Sequence, residues 1–213
     1  MDSEARIVDC IRAAIDDVGL PERTHAEMSN IIGLGLKEAL TTLYPAEPTA
    51  HHEALVERYR HHWLFENATP AEMFAGAEDM LVSLRERGYY LAIATGKARR
   101  GLKRVLDETG LGDLFDSSRC ADETQSKPHP QMLEQIMDEI GVPGMRTLMI
   151  GDTEYDLRMA RDAGAHALGV SYGVHEKARL LACEPIGCVD SIADLHDWLL
   201  DGTPRAVRNG GIT

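Results

Sequence analysis

The stretch "TLMIGDTEYDLRMARDAG", residues 147–164, decides how this chain folds. Leu148, Met149 and Ile150 form a short, wholly apolar run, which suits a strand covered on both faces. The residues after it read as a helix closed by Gly164. Asp152 follows the apolar run directly, and Asp156 comes four residues later, about one helical turn on. Both carboxylates can therefore face one crevice at the end of a strand.

Working outward, the same alternation continues on both sides. "HALGV" (166–170) reads as another strand, "GCVDS" (187–191) as a short further one, and Ile192 to Leu200 as a last helix. Towards the N-terminus, Phe74 to Gly88 reads as a helix with Met80, Leu81 and Leu84 inward. "YYLAIATG" (89–96) reads as a strand entering a turn, and Gly101 to Gly110 and Met132 to Ile140 as helices. Strands alternating with helices predict an α/β fold with a doubly wound parallel sheet, spanning 75–201. Residues 3–74 have a different texture. Ile7, Ile11, Ala14, Ile15 and Val18 keep helical spacing up to Gly19 and Pro21. Leu36, Ala39, Leu40 and Leu43 form a second stripe, and Leu55, Tyr59 and Trp63 a third. This predicts a small domain of four short helices. The polar tail 202–213, rich in Gly, is expected to be disordered.

The chain has 213 residues and a net charge of −13, with no run of Lys and Arg. That argues against a nucleic-acid or anionic-membrane partner. Cys10, Cys120, Cys183 and Cys188 form no CxxC pair and read as reduced thiols. No apolar stretch reaches membrane-spanning length and no signal peptide opens the chain, so the expected compartment is the cytoplasm.

In doubly wound sheets, ligands bind outside the carboxyl ends of strands. Three features fall there. Thr95-Gly96 ends the "LAIA" strand, where a hydroxyl and backbone N–H groups can take an anion; Thr95 could equally be a plain helix cap. Lys127 sits in "SKPHP", a loop stiffened by Pro128 and Pro130; alone it could be an ordinary solvated lysine. Asp152 and Asp156 suit Mg2+, which takes a few carboxylates and fills its shell with water and phosphate oxygens; alternatively one caps a helix and the other lies on the surface. Taken together, a hydroxyl with amides, a cation and a metal pair point to a phosphoryl group held by positioning and charge neutralisation.

At these residues the sequence resembles the haloacid dehalogenase superfamily, and within it the phosphoglycolate phosphatase and β-phosphoglucomutase-like group with a helical cap. "LAIATG" resembles the family's second motif at Thr95, "SKPHP" the third at Lys127, and "GDTEYD" the fourth, GDxxxD. Lys127 follows Thr95 by 32 residues and precedes Asp152 by 25, in the family's order. The resemblance, over about residues 2–200, implies a Rossmann-like core with a small helical cap. It implies a Mg2+-dependent phosphatase of a small phosphorylated metabolite, with Lys127 catalytic, Thr95 and Gly96 binding phosphate, and Asp152 and Asp156 holding metal. It also implies that the cap segment "IIGLGLKEAL" (31–40) faces the site, so that Gly33 and Gly35 allow close backbone approach and Lys37 meets a second anionic group; a simple helix-breaking turn is the other reading.

One motif is missing. The family's first motif, DxDGT, ends the first and central strand and carries the nucleophile and the general acid/base. No two aspartates here are spaced two apart, and "LLDGTPR" (199–205) puts Leu199 at the nucleophile position. The opening "MDSEARIVD" resembles the continuation of that motif, with Asp2-Ser3 capping the first cap helix. The expectation is a chain truncated at its N-terminus, lacking the first central strand, unstable or aggregation-prone, and without turnover. The alternatives are a β-phosphoglucomutase-type phosphosugar mutase, or a non-catalytic phosphate-binding pseudo-phosphatase that starts at Met1. His51, His52, His61 and His62 are expected on the solvated surface, the two pairs lying about 15 Å apart along a helix.

Overall fold

The computed structural model describes residues 2–66 and 73–201. The disorder expected for 202–213 concerns residues outside that set.

The N-terminal part is helical: α1 (Glu4–Val18), α2 (His25–Asn30), α3 (Leu36–Leu43) and α4 (Thr49–His61), which runs on into a π-helical turn, His62–Glu66. Each boundary has a local cause. Gly19, at φ 74°, ends α1 by donating to the carbonyls of Ile15 and Asp16. Thr24 and Glu27 form a capping box that starts α2. At the start of α1, Ser3 makes no side-chain cap bond, and the Asp2 carboxylate accepts instead from the Glu4 N–H at 3.4 Å. The apolar stripes Val8, Ile11 and Ile15 of α1, Leu40 and Leu43 of α3, and Leu55 of α4 meet in one cluster with Met28 and Ile31. Two of the four histidines depart from the sequence expectation. His52 lies three residues before Leu55, on the same helix face, and is buried with its ring against the Tyr44 carbonyl at 2.8 Å. His62 is wedged between Asp17, at 2.6 Å, and Glu66.

The second part alternates as the sequence predicts: α5 (Ala77–Glu86), β1 (Ala92–Thr95), α6 (Arg99–Thr109), β2 (Ser117–Cys120), α7 (Gln131–Ile140), β3 (Leu148–Gly151), α8 (Glu154–Asp162), β4 (His166–Val170), α9 (Lys177–Leu181), β5 (Gly187–Val189) and α10 (Ile192–Asp201). Every strand pair is parallel. β2 is the strand that the sequence hides. Its Ser117-Ser118-Arg119-Cys120 has no apolar run, yet it pairs along β1 in the register Ala92 to Ser117. The short α9 carries little periodicity and is equally silent in the sequence. β4 serves two layers, as alternating side chains of a strand must. Ala167 packs with Met132, Leu157 and Leu180 on one face, while Leu168 and Val170 pack with Met80, Leu84 and Leu195 on the other.

The strands form two sheets, β1-β2 and β3-β4-β5. Among the described residues no ladder joins β1 to β3. Their facing edges line a cavity of about 860 Å³, with Ala94 and Thr95 on one side and Ile150 and Gly151 on the other. The apolar Leu148, Met149 and Ile150 are accordingly only partly buried, whereas Ala167 to Val170 of β4 are fully so. No helix among the described residues is long and apolar enough to cross a membrane.

The helical core is tight enough to test by truncation. Leu40 is fully buried, so Leu40→Ala is expected to lower the unfolding free energy by about 2–5 kcal/mol, read from urea denaturation.

Candidate active site

Lys127 is the hub. It is buried, and its Nζ donates to the Ala94 carbonyl of β1 at 2.8 Å and to Asp156 Oδ1 of α8 at 2.6 Å. One side chain thus ties the end of one sheet to the helix that follows the other. A lysine in a solvated loop makes neither contact. Its partner Asp156 is just as enclosed. Asp156 Oδ2 accepts from Thr153 Oγ1 at 2.6 Å and from the Thr153 N–H at 3.2 Å, completing a capping box at the start of α8. Both oxygens of Asp156 are therefore engaged within the protein.

Asp152 is arranged differently. Its Oδ2 accepts from the Val174 N–H at 3.1 Å, and its own carbonyl accepts from the His175 N–H. No other described residue donates to the carboxylate, which also takes a bond from its own backbone N–H. Burial, followed by the charge of Asp156, pushes its carboxyl above the ordinary range. The loop that covers it passes so close that a Cβ on Gly173 would sit 2.2 Å from Asp152 Oδ2, so only glycine fits there. A desolvated carboxylate on a cavity wall fits a hard divalent cation. Among the described residues no three His, Cys, Asp or Glu side chains converge as a complete cage, and Mg2+ commonly keeps several of its ligands as water or phosphate oxygens.

Thr95 closes β1, and its Oγ1 accepts from the Lys97 N–H at 3.1 Å. It does not cap α6, whose N-cap is Ala98. The candidate anion-binding residues thus sit in a turn ahead of the helix, not at its N-terminus. The cap segment presses on this turn. A Cβ on Gly96 would lie 2.6 Å from the Leu34 carbonyl and 2.9 Å from that of Gly33. Gly33, at φ 105°, brings its Cα to Thr153, and the Gly35 N–H donates to Ser126 Oγ at 2.6 Å, next to Lys127. Lys37 is exposed but lines the same cavity. The structure thus gathers Thr95, Gly96, Lys127, Asp152, Asp156, Gly33 and Lys37 around one cleft, while Gly35 is buried beside it against Ser126.

Two groups there carry no signal in the sequence. The first is a clasp between the two parts of the chain. Tyr155 Oη donates to the Asn30 carbonyl at 2.9 Å, and Arg179 bonds both the Asn30 side chain and Glu154. His175 Nδ1 accepts from the Glu154 N–H, which leaves Nε2 as the donor facing the Asn30 carbonyl at 3.4 Å. Burial holds the His175 pKa down, in keeping with a neutral ring. The second is Lys97, whose Nζ stands 5.0 Å from the centroid of the Trp63 ring, with Arg6 over that ring at 4.2 Å. Burial, then Arg6, lowers the Lys97 pKa to about 8, against a weaker opposing pull from Asp152.

Two outcomes follow from these charges. Lys127→Met leaves a buried carboxylate without its cation and is expected to cost about 3–5 kcal/mol of stability, measured by urea denaturation; the double change with Asp156→Asn should recover part of it. Lys97 acts in the opposite sense. Its folded pKa lies below its unfolded value, so the unfolded chain binds more protons and stability rises with pH between about 8 and 10.5. Lys97→Met is therefore expected to melt higher than wild type at pH 7. The gap should close as pH rises through that window; a gap independent of pH would contradict the assignment.

Comparison with known proteins agrees with this architecture. The family model for haloacid dehalogenase-like hydrolases matches residues 1–170. A protein of Dickeya dadantii named "Probable phosphatase IndB" is 32% identical over 200 residues, covering 92% of this chain and 86% of that one. A phosphoglycolate phosphatase of Aliivibrio fischeri is 26% identical, covering 94% and 90%. A haloacid dehalogenase-like hydrolase from Streptococcus pneumoniae shares the fold at a TM-score of 0.80 and 21% identity, over 93% of this chain and 92% of that one. With its three strand-end motifs gathered at one cleft and the family model spanning most of its length, this chain belongs to the haloacid dehalogenase-like hydrolases.

Proposed function

We propose that the protein hydrolyses phosphate monoesters of small metabolites, phosphoglycolate-like acids foremost, with the help of Mg2+. The observation that carries this reading is the position of Lys127. It stands between the Ala94 carbonyl at the end of β1 and Asp156 of α8, and lines the same cavity as Thr95 and Asp152. Lys127 would neutralise non-bridging phosphoryl oxygens, and Thr95 Oγ1 with the N–H groups of its turn would orient them. Asp152 would hold the metal through its carboxylate. When bound, the ion supplies charge neutralisation and a template for in-line attack. Asp156 serves by fixing the direction of Lys127.

The attacking group is the remaining requirement. By resemblance to the family it is an aspartate on a central strand, which becomes phosphorylated and is then hydrolysed. We place that strand in the gap between β1 and β3. It would pair with both inner edges, cover Met149 and Ile150, and set its carboxyl end beside Lys127. The sequence contains no DxD motif, so the present chain alone is expected to lack turnover. The named functions of the relatives, several of them phosphoglycolate phosphatases, favour a phosphorylated acid as substrate. A net charge of −13 favours a small molecule over nucleic acid or an anionic membrane surface.

The test compares two proteins for Mg2+-dependent phosphate release from a panel of monoesters. One is this chain; the other is the reading frame extended upstream of Met1 on the genomic DNA. Activity confined to an extended form bearing DxDGT is the expected result. Full activity from the 213-residue chain would overturn the strand assignment. A stop codon just upstream, with phosphate binding but no hydrolysis, would make the protein a phosphate-binding one.

A further inference from the structure

The cavity that Asp152 lines also holds a cation that the reading above does not use. Lys97 follows the Thr95 turn by two residues, and its side chain leaves the phosphoryl loop towards the helical cap, where it lies over Trp63. Trp63 is buried and stacked on Tyr59 at 6.0 Å, so the ring is a fixed platform. Arg6 of α1 is buried on the same ring and donates to the Trp63 carbonyl at 3.2 Å. Two cations therefore share one indole. Among the described residues no carboxylate lies within ion-pair distance of the Lys97 ammonium, and Asp152 acts on it only from further away. The buried Lys127, by contrast, has Asp156 as its acid. Lys97 has an aromatic face and a repelling neighbour instead. A partly desolvated ammonium in that setting, opening onto a cavity, is short of an anion.

Resting on the reading of Thr95, Lys127 and Asp152 as a phosphoryl site, we propose that Lys97, held on Trp63 with Arg6 behind it, forms a second anion subsite. It reads a carboxylate or a second phosphoryl group lying on the cap side of the bound phosphate. Position fixes its role. Thr95 and Lys97 belong to one turn, so an anion touching both must carry its two charged groups only a few bonds apart. Short, doubly anionic phosphate compounds meet that condition; monoesters with a neutral or long uncharged arm do not. Trp63 comes from the cap and Lys97 from the core, so such a substrate also draws the two parts together.

The experiment uses the full 213-residue chain, with Mg2+, at pH 7, and measures binding by calorimetry. The probes are inorganic phosphate, ethyl phosphate, 2-phosphoglycolate and pyrophosphate. A charge-assisted contact at Lys97 predicts that at least one of the last two binds about tenfold or more tightly than ethyl phosphate. Preference for 2-phosphoglycolate alone identifies a carboxylate as the second group, and preference for pyrophosphate alone a phosphoryl group. Lys97→Met, with Lys97→Gln as a second neutral variant, should bring that ratio to within about twofold of one, while Lys97→Arg keeps it. Thermal melts report whether each variant is folded. A preference that survives both neutral variants, or no preference in the wild type while phosphate and ethyl phosphate still bind, overturns the subsite alone. Failure of every probe to bind the wild type overturns the phosphoryl site and the subsite together.

Discussion

The architecture depends on one buried ion pair. Lys127 and Asp156 lie 2.6 Å apart, both almost wholly enclosed, and the same ammonium also reaches the Ala94 carbonyl. An ion pair in such a place is weak ground for stability, because desolvating two charges costs several kcal/mol each. Its value is in fixing geometry. The β1-β2 and β3-β4-β5 sheets share no backbone ladder among the described residues, so side chains must set their relation at the strand ends. Lys127 spans that break, and Asp156 is immobilised in turn by the capping box with Thr153. The loop after β1, the loop after β3 and the start of α8 are thereby locked into one unit around the cleft.

The cap is placed by the same region. Gly33, Gly35 and Gly96 let the cap approach the strand-end loops where a Cβ would collide, and a methyl group at Gly96 would strike two backbone carbonyls. Close approach leaves little room for adjustment, so the clasp of Tyr155, His175 and Arg179 on Asn30 sets the entry angle. Tyr155 and Glu154 belong to α8, the helix that Asp156 starts. Cap position and cleft geometry are therefore read from one helix, and a shift of α8 moves both.

Much of this was legible in the sequence, for a definite reason. Strands β3 and β4 announce themselves because both of their faces are apolar, and α8 because Thr153, Asp156 and Gly164 mark its ends. Strand β2 is silent because Ser117 and Arg119 are satisfied by Glu139 and Gln135, so polar residues replace the apolar pattern. The joint spacing of Thr95, Lys127 and Asp152 located the cleft. What spacing could not supply was the division of labour at "GDTEYD". It marked Asp152 and Asp156 alike as a metal pair, and the fold gives them different partners: Asp156 bonds Lys127 and Thr153, and Asp152 bonds the Val174 N–H. Lys97 and Trp63 lie 34 residues apart in sequence and meet only through the fold.

Two charges in the cleft, Asp152 and Lys97, bear on the proposed ligand. Asp152 is pushed up and Lys97 pushed down, and in both cases the leading cause is burial. Burial of either charge costs stability that a partner of opposite sign would offset. A cation at Asp152 and an oxyanion at Lys97 would remove both penalties at once. The two demands are of opposite sign, so no single simple ion meets both. A metal together with a phosphorylated anion does. In a protein of net charge −13, long-range attraction cannot concentrate such an anion. On the proposed reading, recognition would then rest on these few local charges at the junction of cap and core.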